Sequence, residues 1–163
     1  EIRRGARRVI KDIIINVEEG GSIELTTVPA EKISELSRAE AKQLILDGGL
    51  WACMTTRPLD RIPSPDTLPQ SLLVSAYQTG PLQPGVDVML DADDGPYLSA
   101  GLDLLKAATG AEVNIVTEAG STHAALNGLQ EVNRHQFSGP HPAGDMGVQV
   151  NYIDPPRGDS SVW

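Results

Sequence analysis

One cysteine, Cys53, is all that the 163 residues contain. An internal disulfide, a CxxC redox pair and an iron–sulfur cluster held by this segment alone each need at least two, so all three are excluded. Long apolar runs are missing as well. A helix that crosses a bilayer needs roughly 20 apolar residues, and Ile13-Ile14-Ile15 is about the best on offer. No leader-like pairing of a charged and an apolar segment follows Glu1. The expectation is a soluble, cytoplasmic segment that serves a membrane only from its surface. Positive charge is scarce, with 13 basic against 22 acidic side chains and a formal charge of −9. A polyanion is repelled by that balance, so nucleic acid is not an expected partner. The signatures GxxxxGK[ST], GxGxxG, GxSxG and HExxH are absent. His123, His135 and His141 lie too far apart to show metal-ligand spacing, and no metal site is expected.

What is present organises into three parts. Arg8 to Val17 is rich in β-branched residues and Ser22 to Thr27 alternates, with Gly20-Gly21 between them. The pattern predicts strands over residues 1–30 that belong to an incomplete β domain, because an isolated hairpin cannot stabilise itself. The basic residues Arg3, Arg4, Arg7, Arg8 and Lys11 fall on this part and read as a solvated face. After Pro29, Ser37 and Glu40 form a capping box at the start of a helix that stops at Gly48-Gly49. Pro58, Pro63, Pro65 and Pro69 then stiffen a surface connection.

The centre carries the clearest pattern. Ser71 to Tyr77 reads as an apolar strand and Glu112 to Thr117 as another. Between them Tyr97, Leu98, Gly101, Leu102, Leu105 and Ala108 recur at helical spacing, closed by Gly110. Strand, helix and strand in that order predict parallel pairing. Asp91, Asp93 and Asp94 precede the helix, where negative charge suits its dipole; their spacing is not that of a calcium loop. A further helix is expected over 121–129, and strands over 132–137 and 147–153. The fold expected for 37–137 is a three-layer α/β unit of Rossmann-like type, followed by 138–163 as a turn and a returning β segment.

One string is chemically unusual. Ser138-Gly139-Pro140-His141-Pro142-Ala143-Gly144 fixes its backbone with two glycines and two prolines and displays one imidazole. It reads either as a ligand or partner contact, or as a structural turn. At the carboxyl ends of the strands, Tyr77 to Gly80 and Glu118 to Ser121 lack the basic, glycine-dense character that grips phosphate.

Arg4-Gly5-Ala6-Arg7-Arg8-Val9, Gly49-Leu50-Trp51 with Thr56-Arg57-Pro58, Ala100-Gly101-Leu102 and Gly139-Pro140-His141-Pro142-Ala143-Gly144 occur in that order along the chain. As a set they resemble the A subunit of the Na⁺-translocating NADH:quinone oxidoreductases. The resemblance implies a longer family protein, of which this chain is an internal segment. It implies a fold similar to the flavin-carrying subunit of complex I and to the C subunit of the Rnf complex, whose glycine-dense loop cradles flavin phosphate. Here Trp51, Met54 and Arg57 stand where small residues are needed for that approach. The implied role is a cofactor-free, peripheral subunit on the cytoplasmic face of the bacterial inner membrane, beside the other subunits of the complex and on its quinone side. The residues then expected at a quinone or partner contact are Trp51, Arg57, Gly139, Pro140, His141, Pro142 and Gly144, with ubiquinone the substrate of the complex. A flavin- or nucleotide-binding oxidoreductase module is the alternative.

Overall fold

A computed structural model describes residues 12–17 and 20–163. The first element among these residues is a 3-10 turn at Ala30–Glu35, which runs into helix α1, Arg38–Asp47. The capping box forms as the sequence requires: the Ser37 hydroxyl accepts from the Glu40 amide, and the Glu40 carboxylate accepts from the Ser37 amide at 2.8 Å. The Ser37 hydroxyl, which donates to that carboxylate, and the Ser37 amide hold the Glu40 pKa below its ordinary value. A depressed folded-state pKa gives stability that is present above the unfolded value and lost as pH falls through the folded one.

A sheet of three parallel strands forms the centre: β1 (Leu72–Ser75), β2 (Val113–Glu118) and β3 (Asn133–Phe137), in the order β1-β2-β3. Leu72 pairs with Val113, and Asn114 with Asn133. Helix α2, Val86–Met89, and helix α3, Gly95–Thr109, connect β1 to β2; helix α4, Ala124–Asn127, connects β2 to β3. Helix α5, Met146–Ile153, follows β3. Alternation along the strands separates two apolar clusters. Leu72, Val113 and Ile115 point to one face and pack with Ala41, Ile45, Leu102, Ala108 and Leu126. Leu73, Tyr77 and Val116 point to the other and pack with Val150 and Val162, flanked by Met146 and Ile153. Helices α1, α3 and α4 therefore cover one face, and α5 the other.

The sheet gains a further rung from residues 161–163. Gln70 donates its amide to the Ser161 carbonyl (2.8 Å), Trp163 to Ser71 (3.1 Å) and Leu73 to Trp163 (2.7 Å). This is the slanted pattern of parallel pairing, and Val162 bridges Ser71 in the parallel sense. On its other side Val162 bridges Arg57 in the antiparallel sense. The lateral order is thus residue 57, residues 161–163, β1, β2, β3.

Three expectations need correction. The segment 147–153 is helical, not a strand. Val148, Val150 and Tyr152 alternate with Gln149 and Asn151, but Met146, Val150 and Ile153 also fall at helical spacing. An Asp145 side chain that accepts from the Gly147 amide at 2.7 Å starts the helix. Second, residues 12–17 and 20–29 hold no strand, and Ile13, Ile14, Ile15 and Ile23 are 77–90% exposed. No strand among the described residues lies beside this β-branched segment to pair with it. The remaining expected positions of that hairpin, and the Arg3–Arg8 cluster, lie outside the described residues. Third, Tyr97 is 79% exposed rather than part of the apolar face of α3, and the helix at 121–129 shortens to α4. There Arg134 of β3 donates to the Leu126, Asn127 and Leu129 carbonyls and closes the helix end.

Leu102 is 4% exposed at the centre of the larger cluster. Leu102→Ala is expected to cost about 2–5 kcal/mol of unfolding free energy, whereas Tyr97→Ala shifts it by less than about 0.5 kcal/mol. Chemical denaturation of the two variants checks this, and equal effects would refute the assignment.

Candidate functional site

In an open α/β sheet, ligands gather outside the carboxyl ends of the strands, where the connections diverge to opposite faces. Here that place is the carboxyl end of β1. The connections leaving β1 and β2 cover one face, while the chain leaving β3 covers the other through α5 and then runs beside β1 at 161–163. The glycine–proline turn sits there.

Three side chains tie the turn to β1 and α5. The Tyr77 hydroxyl donates to the Gly139 carbonyl at 2.9 Å. The Thr79 hydroxyl accepts from the Gly144 amide at 2.8 Å and lies 3.4 Å from Nδ1 of His141. Gln149, fully buried, donates to the Tyr77 carbonyl at 3.2 Å, and its Oε1 has no partner among the described residues. Gly144 is buried against the backbone of Gln78 and Thr79, where a Cβ would fall 2.7 Å from the Gln78 carbonyl carbon. A glycine at that position is therefore a packing requirement. Gly139 has φ +129°, a value that L side chains rarely adopt. Pro140, His141 and Pro142 are exposed. The result is a rigid turn that presents one imidazole to solvent.

Trp51 and Arg57 lie elsewhere. The Trp51 indole is 5% exposed, donates Nε1 to the Pro63 carbonyl at 2.9 Å, and meets Trp163 edge to face with centroids 5.7 Å apart. It forms one wall of an open depression of about 370 Å³ with Arg38 and Lys42 at its edge. Arg57 exchanges backbone hydrogen bonds with Val162 and pairs Nη1 with Asp60 at 3.0 Å; its Nε is buried without a partner among the described residues. Val162 sits opposite Ser71, and the turn sits opposite Tyr77 and Thr79. Six or more residues of extended chain, roughly 20 Å, separate those levels. The structure thus brings Gly139, Pro140, His141, Pro142 and Gly144 together, and groups Trp51 with Arg57 around Val162 and Trp163 at the amino end of β1.

Sequence reasoning passes over Tyr77, Thr79 and Gln149. Tyr77 and Thr79 stand out only as lacking phosphate-binding character. Gln149 carries a usable signal, an amide in an apolar segment, but the alternating reading of 147–153 places it on an open strand face.

Comparison with known proteins bears on the whole chain. Residues 36–163 match the family model described as the NqrA second alpha/beta domain. Over 163 residues the chain is 33% identical to the A subunit of the Na⁺-translocating NADH-quinone reductase of Aliivibrio salmonicida, an alignment that covers all of this chain and 36% of the relative. The A subunit from Photorhabdus laumondii is 32% identical over 162 residues, 99% of this chain and 36% of the relative. That of Pseudomonas aeruginosa is 33% identical over 163 residues, with 99% and 36% covered. The chain spans about a third of the length of these curated relatives.

The turn's packing makes a signed prediction about glycine. Gly144→Ala is expected to destabilise by about 1–3 kcal/mol, because the neighbouring backbone must shift. Gly101→Ala, inside α3 with open space around it, is expected to stabilise by about 0.5–1 kcal/mol. Urea denaturation of both variants reads the two signs.

Proposed function

The chain belongs to the NqrA family, the A subunits of the Na⁺-translocating NADH-quinone reductases, and from that membership we propose that it acts as a structural, cofactor-free domain of a peripheral subunit in such a complex. The complex then couples electron transfer from NADH to ubiquinone with sodium export, and the flavin and nicotinamide chemistry resides on its other subunits. The domain works at the cytoplasmic face of the membrane. No helix among the described residues is long and apolar enough to cross a bilayer, which agrees with a peripheral place.

The observation that carries the cofactor-free reading is the path after α1. Gly48 and Gly49 lead at once into a 3-10 turn, Leu50–Cys53, that drives the Trp51 indole into the core. Backbone amides reach a phosphate only where side chains leave room. The bulk of Trp51 and its anchorage to Pro63 support a filled position where a flavin subunit opens a cradle. The parallel sheet, covered on both faces, supports kinship with Rossmann-like domains and with the flavin subunit of complex I at the level of fold. The flavin- or nucleotide-binding alternative is not favoured.

Within this reading the turn at 139–144 is the quinone-side or sister-subunit contact. A quinone presents two carbonyl acceptors, and His141 is a donor held on a rigid backbone. Trp51 and Arg57 would serve a second contact around the depression beside Trp163.

Two measurements test the proposal. Titration of the full-length polypeptide with FMN and with NADH is expected to show no saturable change in flavin fluorescence or NADH absorbance; stoichiometric binding of either would overturn the cofactor-free reading. In the intact complex, His141→Ala is expected to raise the KM for ubiquinone, or to weaken retention of this subunit, with NADH oxidation by an artificial acceptor preserved. Unchanged turnover, KM and subunit retention would leave His141 a structural residue.

A further inference from the structure

The segment from Pro81 to Tyr97 carries no lysine or arginine and four aspartates, at positions 87, 91, 93 and 94. It also exposes large apolar side chains: Leu82 fully, Val88 at 79%, Met89 at 68% and Tyr97 at 79%. Beneath α2 lies a cavity of about 170 Å³, open to solvent and lined by Val74, Ala76, Val86, Leu90, Leu98 and Ile115, with Met89 on its wall. An enclosed aliphatic cavity of about 150 Å³ is known to stay dry and to accept a guest the size of benzene. This one has the volume of a single leucine- or phenylalanine-sized group.

The lining argues for a side chain rather than a free small molecule. Small-ligand pockets place a few polar groups that fix the ligand's orientation. Of the polar side chains here, Ser75 already donates to the Tyr77 carbonyl at 2.9 Å, which leaves only Gln78. Apolar anchors entering a pocket ringed by charge are, by contrast, the common design of protein interfaces. The chain that walls the cavity is acidic, with Asp87 next to Val86 and Asp91 next to Leu90. Asp87 is 87% exposed, and Asp91 and Asp93 are exposed too. A second copy of a chain with formal charge −9 would meet repulsion.

We propose that this face docks a basic, amphipathic segment of a partner protein, whose apolar side chain enters the cavity under α2 while its lysines or arginines lie against Asp87, Asp91 and Asp93. The docking surface uses none of the side chains of the turn at 139–144. It rests on the functional reading only for the partner being a sister subunit. Helix α2 forms the outer wall of the cavity. It is four residues long, and His123 holds its carboxyl end through Nε2, which donates to the Leu90 carbonyl at 3.0 Å.

Two arms test the proposal, the first of them separately from the functional reading. In the first, the full-length polypeptide is titrated with a labelled leucine–lysine amphipathic helix peptide and with its leucine–glutamate counterpart. The lysine peptide binds and the glutamate peptide does not. Asp87→Asn with Asp93→Asn weakens binding roughly fivefold or more, whereas neutralising Asp47 and Glu112 does not. Met89→Asp is the deciding variant. It adds negative charge at an exposed position, so it strengthens a merely electrostatic association and weakens one that uses the cavity. Stronger binding to Met89→Asp, or equal loss from both pairs of neutralised carboxylates, overturns the proposal. In the second arm a photo-cross-linking residue replaces Val88 in cells that assemble the complex. A product with a basic, apolar-anchored stretch of a sister subunit supports the proposal. Cross-links only to lipid, to a small apolar compound, to a second copy of this chain, or to nothing overturn it. Failure of the chain to co-purify with the other subunits would count against the functional reading alone, since the peptide titration does not depend on it.

Discussion

A strand buried on both faces must find a neighbour along each edge and cover on each side, and β2 is such a strand. Val113, Asn114, Ile115, Val116 and Thr117 are each less than 9% exposed. In that position every amide and carbonyl has to be paired within the protein, so β1 and β3 are obligatory partners. Both faces also demand apolar cover. Helix α3 supplies it on one side, with α1 stacked against it, and α5 supplies it on the other. The buried polar residue that β2 itself presents to the far face is satisfied internally: Asn114 donates to the Leu72 carbonyl at 3.3 Å, and its Oδ1 meets Nε2 of His135 at 2.9 Å. The remaining elements are arranged around this requirement.

How much of this can be read from the residues depends on how local the signal is. The capping box of α1, the helix up to Gly110 and the parallel pair β1–β2 are legible because their cues lie within a few residues of one another. Strand β3 is legible as a strand despite its polar Asn-Arg-His-Gln run, which suits an edge. Helix α5 is not, because two periods compete over seven residues and only the Asp145 cap and the burial of Gln149 decide between them. The rung at 161–163 leaves no trace in pattern: three residues, Ser-Val-Trp, gain their partners from positions about 90 residues away. Nor does any periodicity show that Ile13 to Ile15 lie exposed, since exposure depends on which neighbours are present.

The turn at 139–144 shows the same division. Its rigidity is evident from its glycines and prolines. Its location is not, since it depends on Tyr77, Thr79 and Gln149, which are 62 to 72 positions from their partners or joined to them through space alone. The grouping of Trp51 and Arg57 with that turn in a single contact is an expectation of the sequence, and the rung at 161–163 separates them along the strand direction. The same rung that completes the sheet thus also sorts the chemically distinctive residues into two places.

That rung has a consequence for how the chain is made. Strands β1, β2 and β3 pair in the order in which they leave the ribosome, each within about 40 residues of the last. The outer edge of β1, however, receives its partner only when residues 161–163 appear, with Ser160 already 90 positions after Gln70. At a synthesis rate of about 5–20 residues per second, that edge stands open for roughly 5–18 seconds. Throughout that interval Leu72 and Leu73 lie beside unpaired amides, the arrangement that recruits foreign strands.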